Sequence, residues 1–190
     1  LRVIPLDTFN FLRELSSAFR LDLSGLRVVL DCANGATYRA APAIFERLGA
    51  EIDVIAAEPD GRNINEGCGS THPESLAERV VATGAALGFA FDGDGDRVLA
   101  VDSAGAVRDG DELIALVAAH LRARDMLDGG VAVTVMSNYG FHQAMEAARL
   151  ERRRAALDRR ASMSPAGPVP GYLRVATWNL NSLRARLEAV

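Results

Sequence analysis

Apolar positions recur along this chain at two spacings. Phe11, Leu12, Leu15 and Phe19 share one helical face over residues 7–19, and Asp7 or Thr8 can cap its start. Leu26-Arg-Val-Val-Leu30 predicts a short strand that runs into Asp31. A strand-to-helix turn, Cys32-Ala-Asn-Gly-Ala-Thr37, follows, with Asn34-Gly35 supplying residues that tolerate positive φ. Ala41, Ile44, Phe45 and Leu48 then predict a helix that stops at Gly49, with Pro42 tolerable only in its first turn. Residues 51–56 form the next strand. Residues 58–71 are irregular, rich in Gly and Asn, and long for a connection. Thr71 and Glu74 predict a capping box, with Pro73 in the first turn of a helix whose inward face is Leu76, Ala77, Val80 and Val81 and which ends at Gly84.

The centre of the pattern is Leu87-Gly-Phe-Ala-Phe91. Bulky Leu87, Phe89 and Phe91 alternate with Gly88 and Ala90, which predicts a buried strand with one face open to a closely packed helix. Residues 98–101 are a further strand, closed by a turn through Ser103-Ala-Gly105. Asp109-Gly-Asp111 caps a helix with the stripe Leu113, Ile114, Val117 and Leu121. Residues 131–136 are a strand, and 140–150 a helix. This alternation predicts an α/β fold: a three-layer, sandwich-like domain with a largely parallel sheet and helices on both faces. An incomplete second α/β unit and a poorly ordered tail follow it. The pattern breaks after Leu150. Residues 151–160 are Arg-rich and read as a solvated helix extension, and 162–171 are rich in Pro and Gly. With no neighbouring strands in view, the strand at 131–136 is expected to lack partners.

The net charge of −4 argues against a general nucleic-acid binder. Cys32 and Cys68 match no metal spacing and are read as reduced cytosolic thiols. No apolar run is long enough to span a membrane. The first residue is Leu1, so the chain reads as a piece of a longer protein.

The candidate chemistry follows the central strand directly. Asp92-Gly-Asp-Gly-Asp-Arg97 places carboxylates at i, i+2 and i+4, separated only by glycine. Like charges so close require neutralisation, and glycine lets the backbone turn so that all can face one point. An oxygen-only set suits Mg²⁺, and the planar guanidinium of Arg97 suits a phosphate. An EF-hand is excluded, because its sixth position would be Gly and is Arg97, and its twelfth would be Glu and is Ser103. Asn34 to Thr37 reads either as an anion site at a helix start or, preferably, as a simple connection. His72 reads as a loop residue rather than a ligand.

The Asp92–Arg97 loop resembles the metal-binding loop of the α-D-phosphohexomutases. Asp60-Gly-Arg-Asn-Ile-Asn65, Cys68-Gly-Ser-Thr-His-Pro-Glu74 and Val135-Met-Ser-Asn138 narrow the likeness to the phosphoglucosamine mutase branch, over about residues 5–150. The resemblance implies that Asp92, Asp94 and Asp96 bind Mg²⁺ and that Arg97 helps hold a phosphate. It also implies a cytoplasmic enzyme of amino-sugar supply, with a phosphosugar substrate and neither membrane nor nucleic acid as partner. Such an enzyme interconverts glucosamine 6-phosphate and glucosamine 1-phosphate through a phosphoserine. The family's phosphoserine loop, sugar-recognition loop and phosphate-binding fourth domain have no counterpart here, so no catalytic nucleophile is assigned and the chain alone is expected to be inactive. The implied organisation is a second domain over 5–103, a truncated third domain over 104–150, a linker over 151–172 and a tail over 173–190. That tail, Leu173 to Arg186, resembles the opening strand of exonuclease III type AP endonucleases, with Asn179 at the position of an active-site residue; a chance strand is the alternative. A non-catalytic domain that binds a divalent ion, and a remnant of a nuclease fusion, are the rival readings.

Overall fold

The computed structural model describes residues 21–127, 130–147, 151–154 and 172–174, the last two segments as backbone strands. The helix expected at 7–19 and the nuclease-like tail beyond Arg174, with Asn179, lie outside the described residues. The chain divides into two units between Arg108 and Asp109.

The first unit is built on a sheet with strand order β2-β1-β3-β4-β5. Its strands are β1 (Arg27–Asp31), β2 (Glu51–Ile55), β3 (Leu87–Phe91), β4 (Val98–Asp102) and β5 (Val107–Arg108). β1 lies between β2 and β3 and pairs in parallel with both. β4 and β5 are antiparallel additions. The short connections before them dictate this, because a parallel pair needs a crossover of a dozen residues or more.

The period-2 pattern of β1 sorts the two faces. Val28 and Leu30 point to one side with α1 (Ala40–Arg47), where Ala41, Phe45 and Phe89 also pack. Val29 points to the other with α2 (Glu74–Thr83), against Leu76, Val80, Ala90 and Val101. The alternation expected in β3 is realised. The Phe89 ring lies 5.6 Å from Phe45. On the other face, a Cβ on Gly88 would stand 2.6 Å from Val80 Cγ2, so α2 sits directly on the sheet. Each fully buried Leu or Val here is worth about 1.5–3 kcal/mol.

Two helix details differ from expectation. Thr71 does not cap α2, which has no side-chain cap; Thr71 closes a 3-10 turn, Gly69–Thr71, and the helix begins only at Glu74. Val81 is exposed rather than inward and lies beside Gly105. Its C-terminus behaves as predicted, with Gly84 left-handed at φ 64°.

The second unit contains α3 (Gly110–Ala123), β6 (Gly130–Val133), α4 (Tyr139–Ala147), β7 (Glu151–Arg154) and β8 (Tyr172–Arg174). Asp109 caps α3 through a full capping box with Glu112. The inward stripe of α3 is Ile114, Ala118 and Leu121, while Val117 is exposed. Small Ala118 at i+4 from Ile114 lets the helix approach Val131, Val133, Phe141 and Met145.

The strand expected to lack partners has one on each side: β6 pairs in parallel with β7 and with β8. Glu151–Arg154, read from sequence as a helix extension, is therefore a strand. A strand as apolar as β6 must satisfy both backbone edges, and α4 supplies the crossover that brings β7 alongside. The run of arginines carries no periodicity from which this could be read.

Candidate functional site

β3 delivers Phe91 to the carboxyl end of the sheet, where the chain turns through Asp92 to Arg97. The turn is closed by Gly95 N–H donating to Asp92 O at 3.0 Å and by Asp92 N–H donating to Arg97 O at 3.2 Å. Gly95 has φ 73°, a conformation that favours glycine.

The carboxylates behave differently from one another. Asp92 is buried, and its Oδ1 accepts from the backbone N–H of Asp96 at 3.1 Å and of Arg97 at 3.3 Å. Both Nε and a terminal nitrogen of Arg97 lie 2.9 Å from Asp92 Oδ2. Burial pushes the Asp92 carboxyl up, but hydrogen bonds from Asp96 and Arg97 and the guanidinium charge together hold it below the usual carboxylate range. Asp96 is exposed and raised, first by its hydrogen bond with Asp92, then by desolvation and by the negative charges of Asp92 and Asp94. Asp94 is exposed.

The structure thus joins Asp92, Asp96 and Arg97, with Asp94 turned to solvent. Among the described residues, no three carboxylate, imidazole or thiol groups stand together as a ready metal cage. The donor set is nonetheless of the kind that a hard divalent cation takes, oxygen only. Asp96 already stands beside Asp92, and Asp94 is exposed two residues along.

Two other segments enclose the Asp loop. The turn after β1 touches it: Ala36 N–H donates to Gly93 O at 2.8 Å, and a Cβ on Gly35 would run into the Gly93 backbone. Other amides of this turn are also taken. Asn34 N–H donates to Ala56 O, Gly35 N–H to Cys32 O and Tyr38 N–H to Gly35 O. The amides of Asn34, Gly35 and Ala36 are therefore taken within the fold, while Thr37 Oγ1 is buried without a partner among the described residues. The irregular 58–72 loop touches the Asp loop as well. A Cβ on Gly93 would lie 2.6 Å from Ile64 Cδ1 and 2.8 Å from Asn65 Nδ2.

Side chains hold that loop in shape. Asp60 Oδ1 accepts from the N–H groups of Arg62 and Asn63, and Asn63 Oδ1 accepts from Asp60 N–H. The Asn34 side chain reaches across to it, donating to Asn63 O and accepting from Glu58 N–H. Asp31, buried at the end of β1, accepts from Ala33 N–H at 2.9 Å and from Gly69 N–H at 2.8 Å.

Sequence reasoning assigned no role to Asp31, Asn63 or Asn65. The available signal was a carboxylate continuing the apolar run Val28 to Leu30, and for Asn63 an amide side chain in a glycine-rich loop, where it replaces backbone partners. His72 is exposed, as expected of a loop residue. Cys32 and Cys68 are buried and free. Burial pushes the Cys32 thiol up to about 11, and it raises Cys68 as well, so both are poor nucleophiles. No helix among the described residues is long and apolar enough to cross a membrane.

Comparison with known proteins bears on the fold and the family. Residues 9–105 match the family model "phosphoglucomutase/phosphomannomutase, alpha/beta/alpha domain II". The phosphoglucosamine mutase of Moorella thermoacetica is 56% identical over 142 residues, which span 74% of this chain and 32% of that protein. The Pseudomonas aeruginosa phosphoglucosamine mutase is 58% identical over 125 residues, 66% of this chain and 28% of its own. The chain therefore spans about a third of the length of the curated relatives it matches. Among solved structures, a phosphoglucomutase/phosphomannomutase family protein of Burkholderia thailandensis superposes with a TM-score of 0.65 at 22% identity, over 96% of this chain and 35% of that one. An N-acetylglucosamine-phosphate mutase superposes at 0.52 with 17% identity, covering 78% and 36%. These likenesses show the same fold. With half of its length matched by the family model, the chain belongs to the phosphoglucomutase/phosphomannomutase family and carries that family's second α/β/α domain.

Proposed function

We propose that this chain is a piece of a phosphoglucosamine mutase and supplies the part that holds a divalent cation and steadies a phosphate. The observation that carries this is the Asp loop itself: a buried carboxylate, Asp92, forked by Arg97 at the carboxyl end of β3, with Asp94 and Asp96 exposed beside it. Open α/β sheets place their ligands at such strand ends. Asp92, Asp94 and Asp96 would hold Mg²⁺, and the bound cation would offset charge on a phosphoryl group in transfer. Arg97 keeps Asp92 ionised. Its side chain is 25% exposed, and a guanidinium has five N–H donors, so some remain for a phosphate.

The substrate of the whole enzyme is a phosphosugar, glucosamine 6-phosphate or its 1-phosphate isomer, in the cytoplasm. Residues 5–103 are the second domain in this reading and 104–150 open the third. The transferring serine lies in neither. The purified chain should therefore bind Mg²⁺ yet leave glucosamine 6-phosphate unconverted, and turnover by the chain alone would overturn the assignment of its parts. Titration with Mg²⁺ should move the backbone amide resonances of Gly93 and Gly95, and Asp94→Asn should weaken that response. Resonances that stay in place throughout the titration would remove the cation from this loop.

A further inference from the structure

Asp31 is a fully buried carboxylate to which the proposed chemistry gives no task. It is not paired with a cation among the described residues; its two oxygens accept from two backbone amides, Ala33 N–H and Gly69 N–H, that belong to different segments. Burial pushes its pKa up, and only those two hydrogen bonds oppose the rise. Ionising a group there is costly, so a carboxylate at this position calls for a reason beyond filling space.

The contacts of the two segments supply one. Ala33 O accepts from Asn65 N–H at 2.9 Å, which ties the turn after β1 to the long loop a second time. Gly69, at φ 75°, is pressed so close that a Cβ would stand 2.6 Å from both Ala33 Cβ and Phe91 O. Both segments then converge on a single residue of the Asp loop. The turn grips Gly93 through Gly35 and Ala36 N–H, and the loop grips it through Ile64 and Asn65. Gly93 lies between Asp92 and Asp94, so its backbone sets the direction in which both carboxylates leave the chain.

We infer that Asp31 is the positioning residue of the Asp loop: by fastening Ala33 and Gly69 to one buried carboxylate, it fixes the two segments that clasp Gly93. An aspartate is required because two N–H donors arrive together. A carboxylate accepts both, whereas an asparagine in the same place accepts one and turns its NH₂ toward the other. The consequence for Mg²⁺ rests on the function proposed above; the consequence for the Gly93 backbone does not.

The test uses the full chain, labelled with ¹⁵N, as wild type, Asp31→Asn, Asp31→Ala and the control Asp53→Asn. Asp53 pairs with Arg79 and takes part in none of the hydrogen bonds just described. In Asp31→Ala the Gly69 amide should exchange with solvent roughly tenfold faster or more. The Gly93 and Gly95 resonances should shift without any added metal, and Mg²⁺ affinity should fall roughly 10–100-fold, as for loss of other groups that orient metal ligands. Asp31→Asn should fall between Asp31→Ala and wild type on all three readouts, and Asp53→Asn should match wild type. If Asp31→Ala fails to fold, Asp31→Asn carries the comparison. Faster exchange at Gly69 with Gly93, Gly95 and Mg²⁺ affinity all unchanged would make Asp31 a merely local anchor and overturn the inference. If the wild type itself ignores Mg²⁺, the proposed function fails while the metal-free shifts of Gly93 and Gly95 still decide the role of Asp31.

Discussion

Two loops in this chain follow parallel strands at their carboxyl ends, and they are built in opposite ways. After β3, the start of the Asp loop is held by several segments. Asp92 is buried on Arg97, Gly93 is clasped by two other segments, and Asp31 fastens those segments to each other. After β6, residues 134–138 leave Val135 53% and Met136 41% exposed, followed by Tyr139 at 75%. That second loop is fixed mainly by Asn138. Its N–H donates to Asp111, its Nδ2 donates to Asp109, and its Oδ1 accepts from Phe141 N–H at the start of α4. The difference teaches where position matters. Buried hydrogen bonds that tie several segments together rigidify a site, whereas an exposed loop with one cap tolerates motion and change.

The contrast can be broken most forcefully at Gly35. Gly35→Ala would drive a Cβ into the Gly93 backbone, which cannot rotate away as a side chain would. The expected loss is at or above the upper end of the ~1–3 kcal/mol typical of overpacking, read as a lower urea midpoint with unchanged slope. A smaller effect is expected from Arg97→Leu, which leaves Asp92 buried without its cation. With Arg97 partly exposed, a loss of ~1–3 kcal/mol at neutral pH is expected.

The pH dependence supplies a sign. The carboxyl of Asp92 is depressed in the folded state, so its contribution is present above the unfolded carboxylate value of 3.8 and is lost as pH falls through the folded value. Arg97→Leu should therefore weaken the protein most at neutral pH and less in acid. An equal loss at both would place the interaction elsewhere. Asp96, raised by Asp92, contributes with the opposite sign, losing its share as pH rises through its folded value.

On the other side of the comparison, Asn138→Ala should cost ~1 kcal/mol through the lost cap and speed amide exchange at the start of α4. Val135→Ser, on the exposed stretch beside it, should change stability by less than ~0.5 kcal/mol. A large effect at Val135 would mean that this loop is as tightly held as the first.

Much of this arrangement was legible beforehand where a residue's role depends on its neighbours in sequence. The bulky and small alternation of Leu87 to Phe91 announced both the strand and the face on which α2 would lie. Asp92 to Arg97 announced a carboxylate loop with a guanidinium. The capping box at Asp109 and the stop at Gly84 follow from chemistry local to each helix end. The Thr71 cap was misread because a 3-10 turn uses that residue first. The partners of β6 were invisible because a run of arginines carries no period from which a strand could be inferred.

Sequence by itself determined the α/β character, the faces of the central strand and the family whose loop it carries, because each rests on periodicity or on a short motif read along the chain. Only the tertiary structure decided that Arg97 forks Asp92, that the turn after β1 gives amides to Ala56 and Gly93, and that Asp31 reaches Gly69 across 38 positions. Those facts depend on which donors reach a buried acceptor once the chain has closed. Hydrogen bonds act over about 3 Å in space, and spacing along the sequence does not record which distant residues will come that close.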